Sequence, residues 1–308
     1  MKISIVIPVY EEEKNLKVLI PELSEQFIKI NLKPEYEIII IDDGSSDKTW
    51  SILQVLSKDY SEIKARKLSR NFGKEAALSA GLDIARGEAV IVMDGDMQHP
   101  PSLIPELIRV WHETGCDIVE AVKVDRGKES VWNKISANLF YWIMNKLSGY
   151  DLRGASDYKL LDKKVIQAWR KMGESNLFFR GMTVWLGFQK IQIPFKVSHR
   201  VRGQSKFSIL KLFNLSITGL TAFSSFPLHI VTILGIVFLI FSVILGFQTL
   251  YLKIIGEAVT GFTTVILLLL VIGSFLMISL GIMGTYVAKI YEEVKSRPRY
   301  IVTDSINE

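Results

Sequence analysis

The chain has one cysteine and four histidines in 308 residues. A lone thiol, Cys116, excludes an internal disulfide and suits a reducing compartment. So few soft ligands argue against a zinc site. There is no Walker A loop, no GxGxxG turn and no HExxH helix. The opening MKISIVIPVYEEE does not read as a secretory signal, because its apolar run is short and acids follow it. The most telling shortage is of charge. No Asp, Glu, Lys or Arg lies between Lys211 and Lys253, or between Glu257 and Lys289. Each gap exceeds the ~20 apolar residues that cross a bilayer, so two spans are expected, over about 227–252 and 262–288.

The net charge of +5 alone does not choose between nucleic acid, anionic lipid and an anionic substrate. Placement is more informative. Lys196, Arg200, Arg202, Lys206 and Lys211 precede the first span with no acid among them, where a basic segment meets phosphates or a cytoplasmic leaflet. Lys289, Lys295, Arg297 and Arg299 follow the second span, so the positive-inside rule puts both termini in the cytoplasm. Within 207–223, Ile209, Leu210, Phe213, Ile217 and Leu220 recur at helical spacing; this reads as a helix in the membrane interface or as an extension of the first span. A second apolar helix is expected over 131–147, either as core or as a membrane contact. The resulting division is a non-membrane domain over 1–205, an amphipathic segment over 206–226, a membrane hairpin over 227–288 and a basic tail over 289–308.

The first two thirds alternate apolar strands (3–9, 36–41, 63–68, 89–93 and 116–122) with helical patterns. That alternation predicts an α/β fold with a mainly parallel sheet. Pro21 should kink or restart the first helix. Asp47 or Ser46 can cap the second, and Gly87 should close the Ala-rich third. In such sheets ligands bind beyond the carboxyl ends of the strands, where Asp42, Asp43, Asp94 and Asp96 fall.

These positions carry the candidate chemistry. Asp94 and Asp96, one residue apart on a turn, can reach one cation, with Gln98 adding a neutral oxygen; an all-oxygen set suits Mg²⁺ or Mn²⁺. A bare DxD is also two solvated turn acids, but VIVM before it and QHPP after it favour the metal reading. Pro8, Tyr10 and Glu12 follow the first strand, where a ring can stack on a base and a carboxylate can accept from ring N–H groups. Tyr10 alone is a rim residue; Asp43 one strand over makes a base pocket. Asp42 either joins that pocket or binds its own turn. Arg70 and Lys74 flank Asn71, Phe72 and Gly73 at a helix start, forming an anion site or a solvated cap. Asp157 is a structural cap or a carboxylate that orients or deprotonates an acceptor. His199, Arg200, Arg202, Gly203, Ser205 and Lys206, with Arg126 and Lys128, read as a phosphate grip or a juxtamembrane collar.

As a set, IPVYEEEKNL, IDDGSSDKT, LSRNFGKEAAL, MDGDMQHPP and HRVRGQSKFS resemble the motifs of family 2 glycosyltransferases of the Rossmann-like GT-A fold. They are most similar to the polyprenyl-phosphate glycosyltransferases, the group of dolichyl-phosphate mannose synthases and bactoprenol glucosyltransferases. The resemblance implies inverting transfer of a sugar, first of all glucose from UDP-glucose, to undecaprenyl phosphate at the cytoplasmic membrane face. It implies a divalent metal on Asp94, Asp96 and Gln98. Pro8, Tyr10, Glu12, Asp42, Asp43, Arg70, Lys74 and Asp94 would hold the nucleotide. Arg126, Arg200, Arg202 and Lys206 would grip phosphates, Asp157 would be the catalytic base, and the chain would form a homo-oligomer, a tetramer, with no nucleic-acid partner. Other donors (N-acetylglucosamine, mannose, aminoarabinose) and an inactive scaffold of the same fold are the alternatives. Glu11 stands where the family often has Asn, and Tyr158–Lys159 replaces a usual Phe-Arg. The QxxRW motif of processive synthases is absent.

Overall fold

The structure, a computed structural model, describes residues 1–30, 35–125, 156–174, 178–196, 226–256 and 261–307. The expected helix over 131–147, the interfacial segment over 207–223, and Arg126, Lys128, His199, Arg200, Arg202 and Lys206 lie outside them. The chain divides into two compact units, Met1–Ser208 with Arg297–Glu308, and Ile209–Ser296.

The first unit is built on one eight-stranded sheet. Its elements are β1 (Lys2–Val9), α1 (Leu16–Lys29), β2 (Glu35–Asp42), α2 (Thr49–Asp59), β3 (Ile63–Leu68), α3 (Lys74–Ile84), β4 (Ala89–Val92), a 3₁₀ turn (Pro101–Leu103), α4 (Ile104–Thr114), β5 (Ile118–Asp125), β6 (Lys159–Asp162), α5 (Lys163–Arg170), α6 (Phe179–Trp185), β7 (Lys190–Lys196) and β8 (Val302–Ile306). The strand order is β7-β5-β6-β4-β1-β2-β3-β8. The centre is parallel: β1 lies between β2 and β4, and β2 pairs with β3. Ile3, Ile5 and Ile7 on β1 and Ile38 and Ile40 on β2 are fully buried, as a continuous β-branched run between two helical layers requires.

Two strands break the expected alternation. β6 runs antiparallel between β4 and β5, so the fifth predicted strand is not the fourth's neighbour. β8 comes from the segment read as a basic tail and pairs antiparallel with β3. Around it, the Ser69 amide donates to the Ile301 carbonyl (2.9 Å), Tyr300 Oη donates to Asp83 (2.8 Å), and Arg299 reaches Ser79 Oγ and the Met172 carbonyl.

Local chemistry also departs from expectation at two helices. Pro21 lies inside an unbroken α1. It is solvent-exposed, so water can take up the one carbonyl its missing N–H leaves free. α3 stops at Ile84, ahead of Gly87, because the Arg170 guanidinium binds the Leu82 and Ala85 carbonyls (2.6–3.0 Å) in place of a glycine cap. For α2, Asp47 accepts from the Thr49 amide (2.9 Å), while Ser46 turns to Glu11.

The second unit holds α7 (Phe226–Ile254) and α8 (Phe262–Val294). Both contain stretches long and apolar enough to span a membrane, Val231–Ile254 and Leu268–Val294, with mean hydropathies of 2.5 and 2.2. None of either stretch is buried. Apolar side chains facing outward all round suit a lipid solvent.

Candidate active site

The carboxyl ends of β1, β2 and β4 carry Tyr10, Asp43 and Asp94 to one rim of the sheet. Pro8 is buried within β1, whereas Tyr10 is exposed and free to stack. Glu11 adopts a left-handed φ of 57°, a conformation Asn tolerates better than Glu. Its amide donates to Ser45 Oγ (2.9 Å), and the Glu12 amide donates to Thr49 Oγ1 (3.0 Å). Burial, together with Asp96, Asp47 and Asp94 nearby, pushes the Glu12 carboxyl up to about 7, against a hydrogen bond from Asn15.

Asp42 and Asp43 have different tasks. Asp42 is 0% exposed and accepts from the Ser45 amide (2.9 Å), so it shapes the turn beneath the pocket and does not line it. The Asp43 carboxylate accepts from the Phe72 (2.8 Å) and Gly73 (2.9 Å) amides, stapling β2 to the loop before α3. Burial raises the Asp43 carboxyl, and those two N–H groups partly offset it. Gly44 makes the staple feasible: its φ is +69°, and a Cβ there would meet the Arg70 carbonyl carbon at 2.4 Å. Gly44→Ala should therefore cost about 2 kcal/mol or more, from left-handed strain plus a backbone clash. Chemical denaturation of the purified protein would measure it; an unchanged midpoint would mean the turn relaxes freely.

Arg70 and Lys74 part company. The Arg70 guanidinium lies 4.3 Å from the Phe72 ring centroid. Lys74, the first residue of α3, sits between two acids, with Nζ 2.6 Å from Asp94 Oδ1 and 2.7 Å from Asp157 Oδ2. Burial works against its charge, but the two carboxylates outweigh that and raise its pKa. An anion arriving here meets a cation already paired.

Past β4, Asp96 Oδ1 accepts from the Gln98 amide (3.0 Å), and Gln98 Oε1 accepts from Lys123 Nζ at 3.5 Å. Among the described residues no group of three or more His, Cys, Asp and Glu is arranged to hold a metal ion by itself. Asp96 and the Asp94 oxygen not held by Lys74 nonetheless fit Mg²⁺ or Mn²⁺, which take few protein ligands and complete their shell with water and phosphate. His99, which the sequence reading passed over, holds this turn. Its Nδ1 accepts from the Asp94 amide (2.9 Å), and its ring stacks on Tyr158 at 4.9 Å. Burial pushes the imidazole pKa down, keeping Nδ1 an acceptor. His99→Ala should lower turnover about tenfold by releasing the Asp94 backbone, and His99→Asn, whose amide oxygen can stand near Nδ1, should restore part of it. Steady-state rates of the two variants test this; equal losses would dismiss the acceptor role.

Asp157 is 6% exposed. Arg180 grips it with two prongs, Nε to Oδ1 and Nη2 to Oδ2, each 2.7 Å, and Lys74 adds a third contact. Burial opposes ionisation, but these cations hold the carboxyl far below the usual range. Neither Arg180 nor Glu75 was singled out from sequence. Glu75 Oε2 accepts from the Phe179 amide (2.8 Å), and burial pushes its carboxyl up to about 7. Lys159, at the second position of the Tyr158–Lys159 departure, lies outside the cleft: it is 1% exposed and binds Glu120 Oε1 and Thr183 Oγ1, both at 3.0 Å.

Residues 4–164 match the glycosyl transferase family 2 profile. The chain is 39% identical over 306 residues to the uncharacterized glycosyltransferase sll0501 of Synechocystis sp., covering 99% of this chain and 95% of that protein. It is 37% identical over 308 residues to the SfII prophage-derived bactoprenol glucosyl transferase of Shigella flexneri, covering 99% and 98%. Among solved structures it is similar to glucosyl-3-phosphoglycerate synthase from Mycobacterium tuberculosis in complex with Mn²⁺, UDP and phosphoglyceric acid. That match has a TM-score of 0.49 and 19% identity, over 71% of this chain and 76% of the other. The chain belongs to glycosyl transferase family 2, and it is a glycosyltransferase with two helices able to cross a membrane.

Proposed function

We propose that the protein transfers glucose from UDP-glucose to undecaprenyl phosphate at the cytoplasmic membrane face, with inversion at the anomeric carbon. The observation that carries this is near full-length similarity to the Shigella flexneri relative named for bactoprenol glucosyl transfer, joined to two apolar helices on the same chain. Donors carrying N-acetylglucosamine, mannose or aminoarabinose would use the same chemistry. The scaffold reading is disfavoured by the intact acids Asp94, Asp96 and Asp157.

Tyr10, Glu12 and Asp43 border the space for the base and ribose, with Pro8 beneath. Asp94, Asp96 and Gln98 would hold a divalent cation, Mg²⁺ or Mn²⁺, which when bound neutralises charge on the donor diphosphate. Lys74 lies beside that place and adds a fixed positive charge where the leaving oxygen develops negative charge. The acceptor phosphate is an anion at neutral pH and needs little deprotonation to attack. A tightly paired Asp157 agrees with that: it organises cations and takes up no proton. Arg126, Arg200, Arg202 and Lys206 are proposed to grip the donor or acceptor phosphates.

The sheet supports the topology. β8 follows α8 in the chain and pairs with β3 in the catalytic sheet. Two spans between them return the chain to the side it left, and the basic flanks make that side the cytoplasm. A homo-oligomer, a tetramer, belongs to the same family reading. The deciding experiment incubates the purified protein with undecaprenyl phosphate and a panel of nucleotide-sugars and weighs the lipid product. A hexose adduct from UDP-glucose supports the reading; no adduct from any donor overturns it.

A further inference from the structure

We propose that Arg180 is a positioning residue for sugar transfer, acting through Asp157: its two-pronged grip sets the plane of that carboxylate and thereby holds Lys74 against Asp94. This rests on the transferase reading above. The geometry is a chain of charges, from Arg180 to Asp157 to Lys74 to Asp94, each link 2.6–2.7 Å. A carboxylate held by one ammonium alone can rotate about its bond to Cβ. Two parallel N–H donors from a planar guanidinium remove that freedom.

Arg180 is itself held. It is the second residue of α6, and two hydrogen bonds dock that short helix. The Phe179 amide bonds Glu75, the neighbour of Lys74. Thr183 Oγ1, one turn on, accepts from the buried Lys159. Lys159 in turn pairs with Glu120, whose Oε1 also accepts the Ser156 amide (3.0 Å), one residue before Asp157. The same buried pair thus fixes the backbone under Asp157 and the helix that carries its partner. Such support matters because a displacement of about 1 Å can cost ~100-fold in rate.

The test uses the full chain in detergent or nanodiscs, with Arg180→Ala, Arg180→Lys, Asp157→Asn and the double variant Arg180→Ala/Asp157→Asn. For Arg180→Ala, kcat should fall by at least ~30-fold while the donor KM stays within ~3-fold. Arg180→Lys should not rescue kcat, because an ammonium cannot make two parallel N–H bonds. The double variant should be no slower than Asp157→Asn alone. A kcat within ~3-fold of wild type in Arg180→Ala, or single-variant losses that multiply in the double, would overturn the proposal. A fall in Tm with kcat intact would make Arg180 merely structural and also overturn it. Should the wild-type protein glucosylate no lipid, the transferase reading fails separately, and Tm then decides the coupling: a double variant no less stable than the weaker single supports it, and additive losses refute it.

Discussion

Asp96→Ala should abolish glucosyl transfer, with a fall of at least ~1,000-fold, equal to about 4 kcal/mol of transition-state stabilisation. Asp96 sits on the turn after β4, and its side chain accepts a local bond from the Gln98 amide. Its removal therefore costs little in folding. What it takes away is one of two carboxylates able to share a divalent cation, and the remaining pair member, Asp94, already carries Lys74 at 2.6 Å. Mn²⁺ affinity measured by calorimetry in the presence of UDP should drop in parallel, while the fraction of protein recovered in membranes stays constant. The apolar helices α7 and α8 belong to a separate compact unit, so recovery in membranes has no reason to change. Activity within tenfold of wild type would remove Asp96 from the chemistry.

Asp157→Asn should lower kcat by about 100-fold or more and leave UDP binding within a few-fold. The reason is not lost basicity. An amide cannot accept two parallel bonds from Arg180 and a third from Lys74, so two cations lose their shared counter-charge. The pH behaviour separates this from a base mechanism. The folded-state pKa of Asp157 is depressed below the ordinary value of ~3.9. The stability it contributes is present above that value and lost as pH falls toward the folded pKa. In the working range the group stays ionised, so the acid limb of kcat should not belong to Asp157. Rate–pH profiles of wild type and Asp157→Asn would show it: if a limb above pH 5 vanishes in the variant, Asp157 titrates there and its grip by Arg180 and Lys74 is weaker than the geometry indicates.

What could be read ahead of the structure was local. β1 declares itself through an unbroken β-branched run, and the turn with Asp94 and Asp96 through its place behind VIVM. The two long apolar helices show as charge-free gaps, and Phe226–Ile254 and Phe262–Val294 fall over them. What escaped depends on distance along the chain. Arg180 lies 23 residues from Asp157, and Lys74 lies 83 away, so no periodicity links them. β6 has four residues, too few for alternation to register, and its antiparallel run breaks the βαβ rhythm used to predict the rest. His99 was in view within QHPP, yet its use as an acceptor for the Asp94 amide needs the turn's fold. Lys159 is instructive in the opposite direction. It is a departure from the family pattern, yet it is buried inside the protein, paired with Glu120.

The placement of β8 bears on the order of biogenesis. A ribosome delivers β1 to β7 first, then both hydrophobic segments, and only then the strand that pairs along β3. Until that moment β3 presents an open row of amides and carbonyls, the kind of border that recruits stray strands. Completion of the sheet therefore waits on synthesis of both apolar helices, and a nascent chain stalled before its final residues would be vulnerable to clumping along β3.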